Sequence, residues 1–196
     1  MACGEYLERI QINVQRLNRF VSDLLDAAKV EKGGLECAMA PMRLEVVVSD
    51  ACQFFAVKAK GQGVGLEHRL DHIPPVLGDS ERIRQVLVNL ISNSLKFTPS
   101  GGRIAICAEQ FREKGHRWIE LIVQDTGLGM DQKDIARLFQ AFSQGKNAAQ
   151  RMGGNRGTGL GLFICKSIIE KHGGRMEVKS APGQGTQVSF SLPAAG

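Results

Sequence analysis

The chain has 196 residues, 43% hydrophobic and 23% charged, which is enough for one domain with an appendage, or two small domains, around a sizeable core. Its net charge of +5 describes a mildly basic solvated surface and gives no reason to expect a nucleic-acid partner. Cys3, Cys37, Cys52, Cys107 and Cys165 are scattered with no C-x-x-C pair, which argues against a disulfide framework or a zinc site; no signal peptide is visible and no apolar run is long enough to span a bilayer, so the expected setting is cytoplasmic, with any membrane anchor outside this chain.

Leu7, Ile10, Val14, Leu17, Val21, Leu24 and Ala28 recur at alternating spacings of three and four, a helical seam of about three heptads. Tyr6, Phe20 and Leu25 widen it. A lone helix of this length is marginal in water, so the seam needs a partner. Packing on its own domain is one reading. The narrowness of the seam and the Gly33-Gly34 break after it favour self-association, hence a homodimer through residues 7–28.

A short extended piece is expected over 35–40, before Pro41. A second amphipathic helix carries Leu44, Val47, Val48, Ala51, Phe54 and Phe55 and ends near Lys60-Gly61. Residues 64–70 alternate like a strand, and Ile73-Pro74-Pro75 is a stiff connector. Asp79 is a candidate N-cap for a helix running to about Lys96, with Ile83, Val86, Leu87, Leu90, Ile91 and Leu95 on its apolar face. Its other face holds Arg82, Gln85, Asn89, Asn93 and Lys96. Asn is a poor helix former, so two Asn one turn apart beside a lysine suggest a use as well as a merely polar face. An Asn amide oxygen is a neutral hard ligand suited to Mg2+, and lysine meets a phosphate as a point charge.

Residues 103–108 and 118–123 read as a hairpin. The second strand stops at Asp125, followed by Thr126-Gly127-Leu128-Gly129-Met130. This is either an ordinary glycine turn or an acid beside bare backbone, able to accept a hydrogen bond from a flat amino-bearing ring. Residues 131–134 cap a short helix through Leu138. Phe139 and Phe142 are core residues or anchors of a mobile segment, with the core preferred. Residues 143–156 have the composition of a long flexible loop, the kind that often forms a lid. Gly157-Thr158-Gly159-Leu160-Gly161 then opens a helix through about His172, and glycines at a helix N-terminus present free N–H groups to a phosphate. Two antiparallel strands with one apolar face each close the chain. The glycine spacing is not G-x-G-x-x-G and the element order is not alternating β-α-β, which argues against a dinucleotide fold, and no Walker A loop occurs. The expected class is α+β: a two-layer sandwich whose mixed sheet is covered by helices on one face, preceded by a long helix.

Taken together, residues 89–99 (NLISNSLKFTP) resemble the N box of sensor histidine kinases, 125–130 (DTGLGM) their G1 box, 138–142 (LFQAF) their F box and 157–162 (GTGLGL) their G2 box. Gly183-Gln184-Gly185-Thr186 resembles a closing glycine turn. The resemblance covers about residues 43–193 as the catalytic ATP-binding domain of the GHKL (Bergerat) class. Residues 6–30 resemble the second helix of the dimerisation hairpin. It implies a division into a dimerisation-type helix over 1–34 and an ATP-binding domain over 35–196. It further implies ATP and Mg2+ as ligands. Asp125 would bond the adenine amino group, with Gly127, Gly129 and Thr186 shaping that pocket. Asn93 would ligate Mg2+ with Asn89 assisting, and Lys96 would meet a phosphate. Residues 143–156 would be the lid, anchored by Phe139 and Phe142, and Gly157, Thr158, Gly159, Leu160 and Gly161 would hold the phosphates.

Two departures qualify the resemblance. None of His68, His72, His116 and His172 stands in the family's H-[ED]-x-R-T-P type box, so the acceptor histidine is expected outside this chain, on a separate helix, and a response regulator is the implied downstream partner. DNA gyrase-like relatives carry a Glu at the position of Asn89 to activate water; Asn cannot act as a base, which favours transfer to a protein over hydrolysis. The competing readings are a degenerate nucleotide-binding or partner-binding module acting through the N-terminal helix, and a GHKL protein-serine kinase.

Overall fold

The computed structural model describes residues 2–143 and 158–195; within the first helix, side chains are described at 10, 11, 13, 14, 17, 18 and from 20 onward. Helix α1 spans Ala2–Glu31 and stops where Gly33 turns left-handed (φ 69°) and the Gly34 N–H returns to the Lys29 carbonyl at 2.8 Å. The further elements are β1 (Ala40–Met42), α2 (Leu44–Gly61), β2 (Gly65–Arg69), β3 (Val76–Gly78), α3 (Ser80–Phe97), β4 (Arg103–Glu113), β5 (His116–Asp125), α4 (Gln132–Ile135), α5 (Gly161–Lys171), β6 (Met176–Ser180) and β7 (Thr186–Pro193).

Five strands form one sheet in the order β2-β4-β5-β7-β6, parallel only between β2 and β4. Alternation sets its buried face. Ile106 lies opposite Val123, Leu121 opposite Phe190 and Ile119 opposite Leu192, and all six are sealed from solvent. Against that face pack Val48, Ala51 and Phe55 of α2, Ile83, Val86, Leu87 and Leu90 of α3, and Ile164, Ile168 and Ile169 of α5. The expected two-layer α+β sandwich with a mixed sheet is therefore the observed one.

Three local expectations need correction. β1 and β3 pair as a separate antiparallel ribbon, where only an extended piece over 35–40 was expected; strands of three residues carry no readable alternation. The β4–β5 hairpin is longer than its apolar runs, because residues 109–113 and 116–117 pair as well, closing through Lys114 (φ 50°) and Gly115 (φ 84°). Positive φ at both turn residues matches the twist of the strands. The helix expected through Leu138 is α-helical only over Gln132–Ile135.

Helix α3 begins as expected: Asp79 Oδ1 accepts the Glu81 and Arg82 N–H groups. Its start is also tied to the end of α5. His172 is buried, its Nδ1–H donates to the Ile168 carbonyl at 2.7 Å, and its Nε2 accepts the Asp79 N–H at 2.9 Å. The two helices that border the candidate site are thus locked together.

Among the described residues of α1, those near its C-terminal end dock on the domain. Ile10, Val14, Leu17, Val21 and Leu24 are exposed in the single chain, whereas Ala27 is buried and Asp26 is inserted against α3. Asp26 accepts from Arg82 at 3.2 Å and from Gln85 Nε2 at 2.8 Å. Truncating one partner of such an ion pair strands the other, discounted here because the Arg82 side chain keeps a quarter of its exposure. Asp26→Ala is expected to cost about 2 kcal/mol by urea denaturation.

Candidate active site

Asp125 is the last residue of β5 and points to the buried face, 6% exposed. Its Oδ1 accepts the Gly127 N–H at 2.9 Å and the Thr186 N–H at 3.1 Å; its Oδ2 accepts the Ser94 hydroxyl at 3.0 Å. The loop returns under the carboxylate because Leu128 N–H bonds the Phe97 carbonyl and Gly183 N–H bonds the Leu128 carbonyl. Burial raises the Asp125 carboxyl above its ordinary range, outweighing the lowering by Gly127, Ser94 and Thr186. Thr186 Oγ1 lies 3.0 Å from Ser180 Oγ, which also takes the Met130 N–H and bonds the Gly185 carbonyl.

Along α3 the polar residues form a half-buried line and not a solvent face: Arg82, Gln85, Asn89, Asn93 and Lys96 all lie at intermediate exposure. Asn93 Nδ2 donates to Asn89 Oδ1 at 3.3 Å, and Asn89 Nδ2 points to the Cys165 sulfur at 3.3 Å. With the amides so oriented, Asn93 Oδ1 remains available as a hard oxygen ligand. Cys165 itself is sealed inside α5 and its thiol is pushed up to about 12 by burial. Lys96 lies with its ammonium 5.1 Å from the Phe97 ring centroid, and burial lowers its pKa. An ammonium so placed gains from an incoming anion.

The N-terminus of α5 closes against this line. A Cβ at Gly161 would fall 2.3 Å from Asn89 Nδ2, so any side chain here would displace the asparagine amide from its present place. Gly159 backs onto Phe142 and Ser143. Leu160 is fully buried, and its N–H is taken by Thr158 Oγ1 at 3.2 Å; the Thr158 hydroxyl in turn reaches Asp23 of α1 at 3.3 Å. Gly157 and the lid residues 144–156 lie outside the described residues. Phe139 is half-buried and packs on the core beneath the Lys166 ammonium, 5.3 Å from its ring. Phe142 departs from the preferred expectation of a core position: it is 62% exposed at φ 60°.

Asp125, Gly127, Gly129 and Thr186 thus stand together at one end of β5 and β7, and Asn89, Asn93 and Gly161 stand together between α3 and α5. Ser94 joins the two groups and was missed. The signal was present: it is a hydroxyl on the apolar stripe, one turn from Leu90, where a polar group needs a buried partner. Among the described residues no cluster of three or more His, Cys, Asp or Glu could hold a metal ion. A cation here would rely on the Asn amide oxygens and on oxygens brought by a ligand, an arrangement that suits Mg2+.

Residues 78–196 match the family model described as "Histidine kinase-, DNA gyrase B-, and HSP90-like ATPase". The chain belongs to this family. Within it, the chain is the catalytic ATP-binding domain of the sensor histidine kinase type. It is 37% identical over 188 residues to the Non-motile and phage-resistance protein of Caulobacter vibrioides, covering 96% of this chain and 22% of that protein. It is 36% identical over 195 residues to the Sensor protein GacS of Pseudomonas syringae pv. syringae, covering 97% and 21%. The chain therefore spans about a fifth of the length of these relatives. Among solved structures, full-length ShkA in complex with AMPPNP superposes with a TM-score of 0.82 at 27% identity, over 98% of this chain and 39% of that one. The catalytic domain of the histidine kinase ThkA superposes with a TM-score of 0.67 at 25% identity, over 80% and 97%. No helix among the described residues is long and apolar enough to cross a membrane.

Proposed function

We propose that this domain binds Mg2+-ATP and transfers the γ-phosphoryl group to a histidine on a helix outside this sequence, as the kinase core of a two-component sensor. The observation that carries this reading is the buried Asp125 carboxylate, whose three donors leave one acceptor direction on Oδ2, and whose partner Ser94 stands on α3 between Asn93 and Lys96. The adenine amino group donates to Asp125, and Gly127, Gly129 and Thr186 shape its surroundings. Lys96 and the α5 N-terminus, with Gly157, Thr158, Gly159 and Gly161, meet the phosphates; Leu160 holds the loop from below. Asn93, with Asn89 beside it, holds the cation, which when bound neutralises phosphate charge. Phosphoryl transfer asks little of the protein beyond such positioning and charge neutralisation.

His172 cannot be the acceptor, since both ring nitrogens are engaged in a buried setting. The division at about residue 34 and the homodimer through residues 7–28 belong to the same reading, supported by the exposed row from Ile10 to Leu24. A response regulator is the expected downstream partner, in a cytoplasmic setting. The test is calorimetric titration with a non-hydrolysable ATP analogue, with and without Mg2+, on a sample sized by light scattering. One site per chain, tightened by Mg2+, is the expected result on a dimer. Absence of binding in folded protein overturns the kinase reading, and a monomer at high concentration overturns the seam's assignment.

A further inference from the structure

Serines inside helices ordinarily turn their hydroxyl back to the carbonyl four residues earlier. Ser167 of α5 does so, donating to the Phe163 carbonyl at 3.0 Å. Ser94 of α3 does not: its hydrogen goes across to Asp125 Oδ2 at 3.0 Å, in a setting where both residues are more than nine-tenths buried. The acceptor count of the carboxylate shows what this does. An ionised carboxyl offers about four lone-pair directions. Gly127 and Thr186 occupy those of Oδ1, and Ser94 occupies one on Oδ2. One direction is left, and the carboxylate plane is held by three donors from three separate elements.

We propose that Ser94 is a positioning residue of the nucleotide site: by holding Oδ2 it aims the one remaining acceptor direction of Asp125, so that the preference for a purine carrying a 6-amino donor depends on the Ser94 hydroxyl. This rests on the nucleotide reading above. Without the hydroxyl, Asp125 keeps the two backbone bonds on Oδ1 but loses the tether that sets its tilt. A water can then compete for either direction of Oδ2. Asn93 and Lys96 flank Ser94 on α3 but neither bonds to its hydroxyl, so the contacts assigned to the phosphates keep their own side chains when the hydroxyl is removed.

The experiment is a cycle between the Ser94 hydroxyl and the ligand's amino group. The full chain and Ser94→Ala are titrated with ATP analogue and with purine ribonucleoside triphosphate, which lacks the 6-amino group, in Mg2+ across pH 5 to 8. Ser94→Cys, close in size with a weak donor, is run beside them, and thermal unfolding confirms that each variant is folded. The expected result is about a tenfold loss of affinity for the amino-purine in Ser94→Ala, a much smaller loss for the unsubstituted purine, and Ser94→Cys in between. The weakening of amino-purine binding on acidification also moves to higher pH in Ser94→Ala, because a bond that favours the ionised carboxylate is gone. Equal losses for both ligands, or no loss with an unmoved pH profile, overturn the role of Ser94 while leaving the nucleotide site standing. Failure of the unaltered chain to bind either ligand overturns the nucleotide site itself.

Discussion

Asp125→Asn is expected to weaken adenine-nucleotide binding by more than about tenfold, the scale of one lost charge-assisted hydrogen bond, without weakening the fold. The asparagine oxygen can take over both backbone bonds from Gly127 and Thr186, and its Nδ2 can donate to Ser94, whose oxygen accepts as readily as it donates. Every neighbour stays satisfied, but the direction left for the ligand becomes a donor facing a donor. The fold gains, if anything. The Asp125 carboxyl is raised from its ordinary value of 3.8, chiefly by burial. A raised carboxyl contributes stability that is complete below about pH 4 and is lost as pH rises through the folded-state value. At pH 7 the ionised group is therefore a burden on the empty protein, retained for binding. Asp125→Asn should unfold at the same or a higher temperature than the unaltered chain at pH 7, with the difference closing toward pH 4. Unchanged nucleotide affinity in this variant would sink the assigned adenine contact.

Gly129→Ala is expected to cost at least about 3 kcal/mol and to abolish nucleotide binding with it. Gly129 sits at φ 65°, where any side chain is disfavoured, and a Cβ there would lie 1.9 Å from the Ala181 carbonyl oxygen. Relief requires moving the turn between β6 and β7, which carries Ser180, Gly185 and Thr186 and so one wall of the Asp125 surroundings. Urea denaturation gives the stability loss and calorimetry the binding. A variant of normal stability would show that the G1 turn is looser than its backbone geometry requires. Gly115→Ala, also at positive φ but with open space around it, is the matched comparison and should lose only the conformational part.

The sequence by itself determined most of the elements, the layer order and where along them the candidate site residues stand. The periods of 3.6 and 2 placed α2, α3, α5 and the inner faces of the sheet, because burial of one face imposes them residue by residue. Asp79 as N-cap, Gly33 as helix stop and the Asp125, Asn89 and Asn93 positions were readable for the same local reason: each is a residue type that its backbone position or its chemistry demands. The tertiary structure decided what depends on contacts between distant segments. It decided that Phe142 faces solvent, that β1 pairs with β3, that Asp26 of α1 docks on Arg82 and Gln85, and that His172 joins α5 to α3. It also decided that Ser94 reaches across to Asp125, 31 positions on. A hydroxyl's partner is chosen by which acceptor the packing brings within hydrogen-bond distance, and no periodicity along one chain segment contains that choice.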